Sequence, residues 1–557
     1  MSGLLGRTLV IMAISFFFIP CLYAQPLYEE LVKPNANELI NRLNKLMEEV
    51  QNIKEELESL KNKQKELETE QDKKEEDLWS EIDYMDDRIM KSEVKTALDR
   101  VNFYGDFRAD FNTIQAHIPK HNQMYNTPKG LSSIQKGAHW YRNNKLFTHR
   151  LRLNMTADIA DNIKFRGRLS ALKAFGVGDD APIFNGQATG YYFDGNAARR
   201  PSSGRIYLER AYVDWSDIGG YPIFFSVGRR PSTDGPPLHL KLNSPRQGTP
   251  PAIAFDFPFD GMTLGMGVSD YVHIPGSVVR ICYGIGYDSG WGDGDLLDDD
   301  SIFRNVSADA LRDMDLIGIL WDVWDDPDEG SFLNILYARS FNISDVMAGT
   351  GVFPYALDPL TGESLPNPET IKPIQRFSPT QTIGDMDIAA VTFMHRDFNT
   401  DWFLASAWNH SHPDSNAYSK YGFGGFLTDQ GQPLKGHSGW AVFTGFRRPW
   451  SIPYLNLDTK YGLEYNFGSK YWFNFTHGAD NIFGSKLAAR GHVVEPYLIL
   501  DINKNAYIRL SYQYYHYLWS GSGWHVGSPQ KLSSNPSLMF PTPDRVHVFT
   551  TSLNFKF

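Results

Sequence analysis

The chain closes on Arg545 to Phe557, R-V-H-V-F-T-T-S-L-N-F-K-F. Phe549, Thr551, Leu553, Phe555 and Phe557 share one parity; Thr550, Ser552, Asn554 and Lys556 share the other. Side chains along a strand alternate between faces, so this segment reads as a strand with one apolar and one polar face. The apolar row needs an oily neighbour, either a protein core or lipid.

From Asn102 onward the same period of two recurs. It predicts sixteen strands near 102–113, 145–160, 162–175, 205–217, 221–230, 261–272, 277–289, 313–325, 330–342, 381–397, 400–412, 437–448, 454–467, 488–501, 505–518 and 545–557. Their connections alternate in length. Short ones, such as Asp161-Asn162, Gly219-Gly220, Asp326 to Glu329, Phe398-Asn399 and Asn503-Lys504, suit tight turns. Long ones fall near 114–144, 176–204, 231–260, 290–312, 343–380, 413–436, 468–487 and 519–544. A soluble sandwich has no reason to sort its loops this way, whereas a membrane barrel has short turns on one side and long loops on the other. The expected fold class is therefore an all-β, antiparallel transmembrane barrel. An even strand count returns the C-terminus to the side on which the barrel begins.

Faces follow from parity. Phe147, Leu151, Leu153 and Met155 oppose Arg150, Arg152, Asn154 and Thr156; Ile163, Phe165, Leu169 and Ala171 oppose Lys164, Arg166, Arg168 and Ser170. Phe103, Phe107, Ala109 and Phe111 oppose Asp106, Arg108 and Asp110. A lipid-facing Arg or Lys costs about 2–4 kcal/mol at mid-bilayer, so the charged rows must face a wet lumen. The expected pore-lining residues are Arg108, Arg150, Arg152, Lys164, Arg166, Arg168, Arg210, Asp106, Asp110 and Asp214. Such a guanidinium wall would favour anions, unless the Arg and Asp rows simply pair and brace the wall. Glu209 breaks the pattern, sharing parity with Tyr207, Ala211 and Val213. It belongs near an interface, or the register changes there.

The N-terminal end fits export. Residues 1–24 carry Arg7, an apolar run from Leu9 to Ile19, and Ala24 before Gln25, the pattern of a secretory signal. The run is shorter than the roughly 20 residues a spanning helix needs. Pro20 before Cys21 does not suit a lipid-anchoring site. Removal of the signal would leave Cys282 alone, excluding an intrachain disulfide and a C-x-x-C-H haem attachment. Cys282 itself reads as a small strand residue. Aromatics make up 14% of a chain whose mean hydropathy is only -0.37, as alternating lipid-facing and lumen-facing residues would give.

Residues 25–100 differ. Leu43, Val50, Leu57, Gln64, Gln71, Leu78 and Met85 fall seven apart, with Leu39, Leu46, Ile53, Leu60 and Leu67 on the companion row. These are a and d positions of a coiled coil flanked by Glu and Lys. The seam weakens at Gln64 and Gln71, with Lys74 and Glu81 at d, and Ile82 and Ile89 mark a register shift near Trp79. Self-association is expected, with a trimer as one option; the a/d mixture itself does not fix the number. The expected organisation is signal 1–24, coiled coil 25–100 and barrel 101–557.

The closing strand resembles that of bacterial outer-membrane barrels, in which the terminal aromatic is recognised during insertion. Leu146 to Phe175, and V-G-R-R-P-S-T-D-G-P-P at Val227 to Pro237, resemble an uncharacterised porin-like outer-membrane family, a domain of unknown function in Gram-negative bacteria. The resemblance covers most of residues 100–557. It implies a barrel in outer-membrane lipid and carries no assigned site; with an even strand count, both ends of the barrel then face the periplasm, where the coiled coil is expected and is open to a partner. The expected function is passive diffusion of small hydrophilic solutes or ions. The alternative is a non-conducting scaffold holding a partner such as a multihaem cytochrome. No enzyme constellation is evident: His410 and Ser411 are adjacent on a strand and face opposite ways, and His410 with His412 gives only two metal ligands. No cofactor is expected beyond a structural Ca2+ in the loop bearing Asp293, Asp295, Asp298, Asp299 and Asp300. With 65 Asp and Glu against 54 Lys and Arg, nucleic acid is not a natural partner.

Overall fold

The computed structural model describes residues 101–557, apart from 128–129, 177–190, 193–205, 288–310, 346–347, 353–373, 378, 380, 420–423, 453–456, 477–478 and 539–541, together with Asn41, Lys45 and Glu48. The chain divides into two units, Met1–Thr96 and Ala97–Phe557. Asn41, Lys45 and Glu48 are helical. The signal, the heptad seam and the acidic cluster Asp293, Asp295, Asp298, Asp299 and Asp300 lie outside the described residues.

Sixteen antiparallel strands form a closed barrel. They are numbered here in chain order: β1 Val101–Ile118, β2 His139–Ala160, β3 Ile163–Ala174, β4 Ile206–Trp215, β5 Ile223–Arg229, β6 Asp260–Gly267, β7 Val278–Tyr287 and β8 Met314–Asp326. The second half comprises β9 Ser331–Ser344, β10 Thr382–Asp397, β11 Thr400–Pro413, β12 Ser438–Ser451, β13 Asp458–Gly468, β14 Gly491–Asn503, β15 Ala506–Tyr517 and β16 Arg545–Lys556. Each strand pairs with its chain neighbours, and β16 returns to β1, with Asp106 opposite Lys556 and His117 opposite Arg545. The Gly105 and Phe557 backbones exchange hydrogen bonds of 2.8 and 3.0 Å, which seals the seam. A sheet without an edge leaves no ladder group to face lipid, the condition for crossing a bilayer with strands.

The outer rows are those read from parity. Phe111, Phe147, Leu151, Ile317, Ile319, Phe549 and Phe555 are exposed on the wall. Exposed Trp140, Trp408 and Trp440 lie toward the long-loop end, and Trp215, Trp450 and Phe557 toward the short-turn end, as the two aromatic girdles of a membrane barrel do.

Two features of the interior go beyond the sequence reading. Charged rows were read on the first four strands, and the inner face of β8–β12 contrasts with them in being largely apolar. Leu316, Leu320, Leu336, Ala338, Ile388, Ala390, Met394, Phe403, Ala405 and Phe443 are all buried there. The connections 231–260 and 468–487, expected outside, fold into the barrel. Their Phe255, Phe257, Phe259, Trp472, Phe473 and Phe475 share one core with the apolar wall. The two features have one cause: inward loops exclude water from that half, so the wall facing them can be apolar. The first long connection is also mostly strand. β1 runs on to Ile118, and His121–Thr127, Gly130–Lys136 and Ser537–Leu538 form a small sheet beyond the wall. Strand β6 ends at Gly267 and gives way to a short helix, Ser269–Val272.

Candidate channel interior

The segment 230–259 leaves β5 and turns inward at the motif singled out in the sequence. Prolines at 231, 236, 237, 245, 250, 251 and 258 deny it ladder donors, so it cannot extend the wall. Its stem is closed by Thr249 donating to the Pro231 carbonyl at 3.2 Å and Ala252 donating to that of Pro236 at 2.9 Å. Gly235 is required at this crossing, because a Cβ there would stand 2.0 Å from the Pro250 oxygen. The apolar stretch Ala252 to Phe257 is then buried and bonded to the loop 469–490: Phe475 donates to the Ala254 carbonyl at 3.0 Å and Asp256 to that of Phe475 at 2.8 Å.

One side of this loop grips β2–β4. Arg152 donates to both Glu209 oxygens at 3.0 and 3.1 Å and to Asp234 at 3.2 Å. Arg168 reaches Asn154 at 2.6 Å, Glu209 at 3.3 Å and Gln247 at 2.9 Å. Arg210 donates to the carbonyls of Gln247 at 2.9 Å and Thr233 at 3.1 Å. Glu209 reaches this network because the β3–β4 register slips between Arg168 and Leu169. That β-bulge leaves both Glu209 and Arg210 buried inside. The parity break at Glu209 is thus a change of register, not an interface position.

The other side crosses to β12–β16. Arg447 donates to the Leu240 carbonyl at 3.0 Å and Tyr507 to that of Leu242 at 2.8 Å. Asn243 donates to Asp501 at 2.7 Å, and Lys556 donates to the Asn243 carbonyl at 2.9 Å. Lys241 meets Glu495 at 3.0 Å. Glu495 lies directly opposite Glu464 on β13, and Lys486 from the second loop joins both, at 2.5 Å to Glu495. Two like charges side by side on a buried wall thus hold one ammonium from each inward loop. The second loop also sends Asp480 to Arg108 at 2.5 Å and Arg150 at 2.6 Å, while Arg150 holds Asp106 at 2.5 Å and Arg108 holds Asp110 at 2.7 Å.

Residues 141–557 match the model of a family described as protein of unknown function (DUF3373). The chain belongs to that family. None of the curated proteins matches it. Among solved structures it is similar to Pseudomonas putida OprB in a high-pH form, at 10% identity and TM-score 0.38, over 84% of this chain and 97% of that one. It is similar to the trimer form of OmpT, an outer membrane protein of Vibrio cholerae, at 11% identity and TM-score 0.37, over 82% and 99%. An anion-selective porin from Comamonas acidovorans follows at 9% identity and TM-score 0.37, over 82% and 99%. Likeness at this level is too slight to carry function across.

In the DUF3373 barrel all ten residues read as pore-lining face inward, in two groups. Arg108, Arg150, Arg152, Arg168, Arg210 and Asp110 are buried in the networks above. Lys164 and Arg166 stay partly solvated, paired with Asp158 at 3.2 Å and with Asp214, and Asp106 is partly exposed. The residues that sequence reasoning missed are Asp234, Lys241, Asp480 and Lys486, all on loops read as external, and Glu464 and Glu495. A recess of about 560 Å3 opens at the short-turn end beside Asn243, Lys460, Asp501, Lys504, Tyr507 and Lys556. His410 and His412 lie on the outer face; His412 pairs with Asp387 at 2.6 Å and His410 with the Ser438 hydroxyl at 2.8 Å. Asn409 and Ser411 are buried on the inner face, so the two rows are separated by the wall.

Proposed function

We propose that this protein is an outer-membrane channel for small hydrophilic solutes, narrowed by its own inward loops, with the short turns and the heptad segment on the periplasmic side. The observation that carries this reading is the loop 230–259, which crosses a sixteen-strand barrel and is held by charged groups on both walls. A barrel of that strand number has an interior wide enough for water, so what passes is set by what fills it. Most interior arginines are buried against carboxylates, so the interior cations left open to passing ions are the partly solvated Lys164 and Arg166, each shared with a carboxylate, Asp158 or Asp214. A scaffold for a multihaem cytochrome would need the volume that these loops occupy.

Planar-bilayer recording of the purified protein tests the reading. A small, stable, ohmic conductance is expected. In a salt gradient, Lys164→Gln with Arg166→Gln should move the reversal potential toward cation preference. A silent barrel would refute the channel; an unmoved reversal potential would refute the assignment of selectivity to these two residues.

A further inference from the structure

Between the inward loop and the inner face of β6–β9 lies a cavity of about 90 Å3. Leu316, Leu320, Leu336, Ala338 and Phe255 supply a mostly apolar lining, and Arg230 and Arg280 bring guanidinium groups to it. Arg230 differs from the neighbouring arginines, Arg229 on the outer row of β5 and Arg280 on the inner face of β7. Arg229 is paired with Asp260 at 2.7 Å and Arg280 with Asp322 at 2.6 Å. Arg230 donates only to hydroxyls, that of Ser226 at 2.9 Å and that of Thr263, and among the described residues no carboxylate pairs with it. A mostly apolar cleft with a few convergent polar groups is the usual form of a small-molecule site. A half-buried guanidinium lacking its own carboxylate is matched by a carboxylate on the ligand, since the planar fork fits that group bidentately.

We propose that this cavity binds a short aliphatic monocarboxylate, with the carboxylate on Arg230 and the tail against Leu316, Leu320, Leu336 and Ala338. Size sets the tail length. The cavity is smaller than the roughly 150 Å3 void that admits a benzene ring, so three or four carbons fit and an aromatic or long-chain acid does not. The site rests on the channel reading for its role, because it would make such acids a solute class that lingers in the lumen. Binding itself does not depend on conduction.

Isothermal titration of the full-length protein in detergent with butyrate tests this. Saturable binding at one site is expected, with none for n-butylamine, which has a matching tail and the opposite charge. Arg230→Gln should weaken butyrate binding by about tenfold or more. Ala338→Leu, which keeps the guanidinium and fills the cavity, should weaken it as well, so the test stands even if the arginine variant fails to fold. The proposal is overturned if butyrate does not saturate, if butylamine binds equally, or if either folded variant binds as the wild type does. Saturable butyrate binding by a barrel silent in bilayers would retain the site and remove the channel; conductance without butyrate binding would do the reverse.

Discussion

At the scale of single residues, the interior is held by charges that have no water to fall back on. Lys486 is the clearest case, since it is buried and serves Glu464 and Glu495 together. Removing one partner of a buried ion pair leaves an uncompensated charge and costs about 3–5 kcal/mol. Lys486→Met should lower the unfolding free energy in urea-detergent titrations by that order, and no change would mean the carboxylates are already neutral or wet. His525 gives the matching pH effect. Its Nε2 bonds to the Ser344 carbonyl at 2.7 Å, and burial pushes its pKa down to about 4. The unfolded chain takes up the proton near pH 6.5 while the folded one does not. The stability this group contributes is complete above about 6.5 and is lost as pH falls from there toward 4. Unfolding midpoints measured across that window should fall, and His525→Gln should flatten the slope.

At the scale of elements, the strands were legible and two loops were not. Parity and turn chemistry placed all sixteen strands, because the lipid-facing row is imposed by solvent and repeats along every strand. The inward loops escaped because long connections in a membrane barrel default to the outside. Their own composition held the signal: Ala252 to Phe259 and Trp472 to Phe475 are too apolar for a solvated loop, and the nearly unbroken apolar run Ile388 to Met394 marks a wall facing something dry on both sides. Likewise the parity break at Glu209 was visible, but its cause, a bulge, needed the partner strand. The candidate site was half legible. Wall arginines were found from their own strands, whereas their partners Asp234 and Asp480 come from afar in sequence. If the loop is docked as described, amides of Ala254, Asp256 and Phe475 should resist hydrogen exchange as well as wall strands do. Exchange at the rate of an exposed loop would place the segment outside the barrel.

At the scale of the whole molecule, the chain combines an oily exterior and closed ladder with a filled interior that behaves as a second core, apolar on one side and ionic on the other. The heptads before it add an expectation about assembly. Deleting 29–95 should leave the barrel able to fold while lowering the mass found by light scattering, and an unchanged mass would remove the coiled coil from any role in association. The central claim is that the loop 230–259 obstructs the lumen, and single-channel conductance tests it most directly. Replacing residues 237–248 with a short Gly-Ser link should turn a small conductance into one several times larger. Equal conductance in the wild type and the shortened variant would contradict the account.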